Sequence, residues 1–104
     1  MVYQIDHESA GTWDEDIVGD SGCSLGLAQM YWCPNNWKVY NRVSGQSWEK
    51  QVDEYVKRFV GYLEKTGDIK LAIVWHNRPA SASRGIVTNY YYKVIKSQHA
   101  FIQK

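Results

Sequence analysis

Two sets of side chains in this sequence could do chemistry. Cys23, with His76 or His99 as a base, would suit a thiol nucleophile of the kind that peptidases and amidases use. No third group that would orient the base is identifiable, and Cys33 is a simpler partner for Cys23. A disulfide between them would restrain the segment that carries Gln29. The second set is carboxylic. Ile5, Leu25, Leu27 and nearby aromatic residues are apolar groups that could desolvate Glu8, and a carboxyl buried among such groups stays protonated near neutral pH. It can then hand its proton to a leaving oxygen. Asp20 sits between Gly19 and Ser21, where an ordinary turn aspartate is as natural as a functional one. Asp14, Glu15 and Asp16 read as a solvated loop. His7, Cys23, Cys33, His76 and His99 lack the close paired spacing of structural zinc sites, so no metal and no cofactor is expected.

These groups need elements to hold them. Val2 to Ser9 reads as the last turns of a helix, too short to stand without packing. Ala10 to Asn36 is rich in Gly, Ser, Asp and Asn and reads as loops with a small β-hairpin. The clearest helix runs from about Trp48 to Lys65. Its Trp48, Val52, Tyr55, Val56, Phe59, Val60 and Leu63 make one apolar stripe, with Ser47 as cap and Gly67 as stop. A second helix, Ile69 to His76 capped by Asp68, is apolar nearly all round and belongs in the core. Pro79 and small residues break the chain between Asn77 and Gly85. A third helix from Ile86 carries Val87, Tyr90, Tyr91, Val94, Ile95, Phe101 and Ile102. The expected fold class is α+β, predominantly α-helical, in a single domain over residues 1–104.

Composition narrows the partners. Twelve basic residues against eleven acidic ones give a net charge of +1, with no basic stripe for nucleic acid. Apolar runs such as Leu71 to Trp75 are far too short to span a bilayer, and Met1 to Ala10 has no signal-peptide pattern. A monomer without nucleic-acid or membrane partners is expected. Five Trp and eight Tyr supply many flat apolar faces with polar edges. Most such rings fill cores, but sugars also stack on them.

Taken in order, His7-Glu8-Ser9-Ala10-Gly11, then Gly19-Asp20-Ser21-Gly22-Cys23-Ser24-Leu25-Gly26-Leu27-Ala28-Gln29, then Ala72 to Val94, the chain resembles the goose-type lysozymes and soluble lytic transglycosylases. In that superfamily a Glu-Ser pair at a helix end precedes a Gly-Leu-Met-Gln motif, an Ala-Tyr-Asn-Ala-Gly motif and a later Tyr. Here Ala28 replaces Met, and Trp75-His76-Asn77-Arg78-Pro79 departs most from the third motif. Relatives also carry more helix before the catalytic Glu than Met1 to His7 supplies.

The resemblance implies a lysozyme-like fold and cleavage of peptidoglycan glycan strands, with Glu8 as catalytic acid. Tyr90 would orient Glu8, and Asp20 would help position water. Ser9, Gln29, Asn77 and Tyr90 would contact the sugars, because amides, hydroxyls and phenols both donate and accept hydrogen bonds. The residue two places after Gln29 is Tyr31, where goose-type lysozymes carry a second Asp; this favours a lytic transglycosylase over a hydrolase. A glycan-binding module without turnover is the reading from another class. A phage lytic or virion-associated enzyme would fit the small size.

Overall fold

The computed structural model describes residues 2–103, with side chains described for residues 3–96. The fold is α+β and mostly helical, with six α-helices and one small antiparallel sheet among the described residues. Helix α1 (Val2–Glu8) is only seven residues long, so packing against α6 (Asn89–Gln103) must hold it. Ile5 enters the core, and Gln4 is fully buried. The helix stops because Ala10 and Gly11 take positive φ, and Gly11 N–H donates to Asp6 O at 2.8 Å.

The irregular stretch contains three two-residue strands rather than a single hairpin. These are β1 (Val18–Gly19), β2 (Ser24–Leu25) and β3 (Met30–Tyr31), paired antiparallel in that order, with Val18 opposite Leu25 and Ser24 opposite Tyr31. A 3-10 turn at Asp20–Gly22 joins the first two. Cys23 and Cys33 form a disulfide that ties this turn to the segment after β3. Both thiols are thereby consumed, which removes the nucleophile from the thiol-enzyme reading. The ring N–H of Trp32 donates to Gly22 O at 2.8 Å and closes the same corner.

Two short helices appear where the sequence showed no periodic signal. Helix α2 (Trp37–Val43) is capped by Asn36, whose side chain accepts from Val39 N–H. Helix α5 (Pro79–Ser83) begins at the proline expected to break the chain. A proline at the first helical position loses no hydrogen bond, because that N–H has no partner in any helix.

Helices α3 (Trp48–Thr66) and α4 (Ile69–Asn77) match their expected spans. Ser47 caps α3 by accepting from Lys50 N–H, and Gly67 ends it in the left-handed conformation at φ 66°. Asp68 caps α4 through Lys70 and Leu71 N–H. The buried stripe of α3 is rotated from the expected one. Trp48 and Val60 are 55% and 44% exposed, whereas Gln51, Tyr55 and Phe59 face inward. A polar residue wins a core position there because its amide has buried backbone to satisfy. Helix α6 starts at Asn89, not Ile86; Gly85 at φ 75° turns the chain, and Ile86 stays exposed. The side chains of His99, Phe101 and Ile102 lie outside the described residues.

Candidate active site

Glu8 is the last residue of α1, and it ends at the middle of an open cleft. One arm of the cleft is lined by Ser24, Met30, Tyr31, Tyr62, Trp75 and Pro79, among others. The other is lined by His7, Arg78, Ser81, Thr88, Asn89, Tyr90 and Lys93, together with Gly19. Glu8, Asp20, Gln29 and Asn77 belong to both arms and mark where they meet. Four of the residues expected to work together are therefore gathered from α1, the 3-10 turn, the β2–β3 connection and the end of α4.

The Glu8 carboxyl sits in a chain of hydrogen bonds whose direction is set by chemistry. Tyr55 O–H donates to Gln4 Oε1, and Gln4 Nε2 donates both to Ile73 O at 2.9 Å and to the Tyr90 hydroxyl oxygen at 3.1 Å. With that oxygen occupied as an acceptor, Tyr90 turns its proton to Glu8 Oε1. The core thus presents Glu8 with a fixed donor. Burial pushes the Glu8 carboxyl up to about 7, against the downward pull of the Tyr90 hydrogen bond and with a smaller upward push from the negative charge of Asp20. The C-terminal, negative end of α1 disfavours ionisation in the same sense. His7 rests edge-on against the Tyr90 ring at 5.6 Å between centroids. Burial and the neighbouring Lys93 hold His7 below its usual range, with Asp6 opposing.

Asp20 adopts φ 50°, and its Oδ2 accepts from Ser24 O–H at 2.5 Å, which fixes the carboxylate at the cleft. Gln29 is more structural than expected. Its Nε2 donates to Gly26 O at 2.9 Å and Ile17 O at 3.3 Å, leaving Oε1 as the atom not committed among the described residues. A Cβ on Gly19 would fall 2.2 Å from that oxygen, so only glycine lets the amide lie there. Gly26 is equally constrained. It takes φ 78°, and a Cβ would meet Gln51 Oε1 at 2.2 Å. Gln51 Oε1 accepts from Leu27 N–H at 2.8 Å, so Gln51 from α3 clamps the Gly-Leu-x-Gln segment from behind.

Asn77 ends α4 on the exposed rim with no side-chain hydrogen bond among the described residues, so both ends of its amide can meet a ligand. One expected substrate contact is corrected. Ser9 is fully buried and accepts from Trp13 N–H at 3.1 Å; it locks the turn after Glu8 and does not reach the cleft. Tyr90 lines the second arm of the cleft, and its hydroxyl is committed to Gln4 and Glu8, the orienting arrangement expected of it. His76, the suggested thiol base, donates from Nε2 to Ala28 O at 2.5 Å. Burial lowers its pKa, so it acts as a neutral tie between α4 and the Gly-Leu-x-Gln segment.

Gln4, Tyr55 and Gln51 were not expected to serve the site. A buried glutamine is unusual enough to draw notice, but no spacing in the sequence identifies it as buried.

Of the aromatic residues, Tyr31, Tyr62 and Trp75 line one arm of the cleft and Tyr90 the other, with Tyr62 stacked on Trp75 at 5.9 Å. Trp32, Trp37 and Tyr40 form a separate cluster with centroids 4.9 to 5.4 Å apart, off the cleft. Among the described residues no group of three or more His, Cys, Asp or Glu could hold a metal, and no helix is long and apolar enough to cross a membrane. No protein-family model, curated protein or solved structure matches the chain.

Proposed function

We propose that this protein cleaves the β-1,4 bond between N-acetylmuramic acid and N-acetylglucosamine in peptidoglycan, on a lysozyme-like fold, with Glu8 as acid. The observation that carries the reading is a carboxyl lifted to about 7, held by Tyr90, at the centre of an open cleft with aromatic faces along one arm. An acid with that pKa is substantially protonated at neutral pH and can still give its proton away. Glu8 protonates the glycosidic oxygen, the C1–O bond breaks, and positive charge develops on the muramic sugar. In a lytic transglycosylase the ionised Glu8 then takes the proton of that sugar's C6 hydroxyl as its oxygen closes on C1, forming a 1,6-anhydro ring. No second acid is needed, which suits the neutral Tyr31 in place of a carboxylate.

Asp20 favours a second reading. Its carboxylate lines both arms of the cleft beside Glu8 and is held by Ser24, as a group that positions water for a muramidase would be. Digestion of purified peptidoglycan and mass spectrometry of the products decides between them. The transglycosylase yields 1,6-anhydro muropeptides, each lighter by one water than its hydrolytic counterpart. Reducing-end products alone would establish the muramidase, and no cleavage at all would remove the enzymatic reading in favour of a glycan-binding module.

A further inference from the structure

The two oxygens of Glu8 are not equivalent, and a buried amide one turn earlier on α1 makes them so. Ile73 O has no proton to give, so the atom of the Gln4 amide that lies 2.9 Å from it must be the nitrogen. The amide oxygen then faces the Tyr55 hydroxyl, and the second N–H of the nitrogen faces the Tyr90 hydroxyl oxygen at 3.1 Å. Gln4 is fully buried, so one side chain of α1 is held by α3, α4 and α6 together. A phenol has a single proton. With Gln4 on its oxygen, Tyr90 points that proton at Glu8 Oε1. In a neutral carboxylic acid the carbonyl oxygen accepts and the hydroxyl oxygen donates. The oxygen that receives the Tyr90 proton is therefore the carbonyl, and the acid proton belongs on Oε2. That oxygen has no hydrogen-bond partner among the described residues, and Glu8 lines both arms of the cleft.

We infer that Gln4 is a positioning residue that, acting through Tyr90, confines the acid proton of Glu8 to Oε2, the oxygen left for the substrate. The place of the proton depends only on the buried amide; its delivery rests on the glycosidase reading and deepens it. In that step the Oε2–H bond breaks, the proton goes to the glycosidic oxygen, and the electron pair of the C1–O bond leaves with that oxygen. Glu8 is left as the carboxylate. Without Gln4 the Tyr90 oxygen is free to accept, and Glu8 can turn its own O–H inward to it. That arrangement stabilises the protonated acid but points its proton away from the cleft.

Two measurements test this, and the first needs no turnover. Infrared difference spectra between acid and alkaline pH contain the carbonyl stretch of protonated Glu8, identified by its loss in Glu8→Gln. In Tyr90→Phe that band should move to higher wavenumber, because the carbonyl oxygen has lost its donor. A band that stays in place would put the proton on Oε1 and overturn the inference, whether or not any Gln4 variant folds. The second measurement is kinetic, with peptidoglycan as substrate and circular dichroism to check folding. Gln4→Met should lower kcat about tenfold with little change in KM and move the alkaline limb upward by about half a pH unit, the size expected for one hydrogen bond. In a Tyr90→Phe background the same substitution should move the limb no further. Val74→Ala, which removes volume from the core of α4 without removing a hydrogen bond, should leave the limb where it is. A limb unmoved by Gln4→Met, or moved equally in the Tyr90→Phe background or by Val74→Ala, would overturn the role of Gln4. Absence of cleavage by the wild-type protein would remove the glycosidase reading, while the infrared band still decides where the proton sits.

Discussion

The Tyr90 hydroxyl donates to Glu8 Oε1 although 82 residues separate them in sequence, and the same hydroxyl oxygen accepts from Gln4. Activity that needs protonated Glu8 should therefore decline as pH rises through about 7. Because the Tyr90 bond lowers that value and the Asp20 charge raises it, the two substitutions should act oppositely. Tyr90→Phe should move the alkaline limb of the kcat/KM profile upward, and Asp20→Asn should move it downward. Limbs that shift in the same direction, or not at all, would show that Glu8 is not the titrating acid.

Glu8→Gln should abolish lysis, since an amide has no proton to give at neutral pH. It should also change stability in a pH-dependent way. The folded carboxyl titrates near 7 against an ordinary value of 4.5, so its stabilising contribution is complete below 4.5 and lost as pH rises through 7. The variant escapes that loss. It should be more stable than wild type by about 1–3 kcal/mol at alkaline pH and nearly equal in acid, as read by urea unfolding at both ends.

Gln4 is a structural test of the hydrogen-bond chain. Gln4→Met keeps the length of the side chain but strands the Tyr55 hydroxyl in the core and removes the amide donor from Ile73 O and the Tyr90 hydroxyl oxygen. A loss of about 2–4 kcal/mol is expected, whereas Tyr55→Phe removes one donor and should cost about 1–2 kcal/mol. Thermal unfolding of both variants measures the difference, and an unchanged Gln4→Met would mean that water replaces the network.

Glycine substitutions separate backbone strain from collision. Gly26→Ala must hold φ 78° and displace Gln51, whereas Gly45→Ala at φ 70° meets nothing within 4 Å. The second should cost about 1 kcal/mol, and the first should cost more, by about 2 kcal/mol, with the Leu27 amide left unpartnered. Equal losses in chemical denaturation would show that Gln51 does not clamp this segment.

Reduction of Cys23–Cys33, ten residues apart, should lower stability by up to about 3 kcal/mol by freeing the loop in the unfolded chain. A melting temperature insensitive to reductant, with two thiols then titratable, would contradict this.

Helices α3 and α4 were legible in sequence because their signals are local. Ser47, Gly67 and Asp68 each act on backbone within three or four residues, and a 3.6-residue apolar repeat reports one buried face wherever the helix lies. The same locality explains the errors. Whether Trp48 or Gln51 faces inward depends on what packs against α3, and the buried Leu27 amide that Gln51 serves lies 24 residues away. Helices α2 and α5 are too short for a repeat to register. The order of Glu8, Asp20, Gln29, Asn77 and Tyr90 could be read along the chain, but their convergence on one cleft required α1 to pack on α6. Ser9 and Glu8 are neighbours in sequence, yet at the end of a helix one turns into the core and the other into the cleft. Hydrophobic periodicity specifies elements and capping specifies their ends. The pKa of Glu8 and the direction of the Tyr90 proton arise from burial and from long-range hydrogen bonds, and these exist only once the helices are packed.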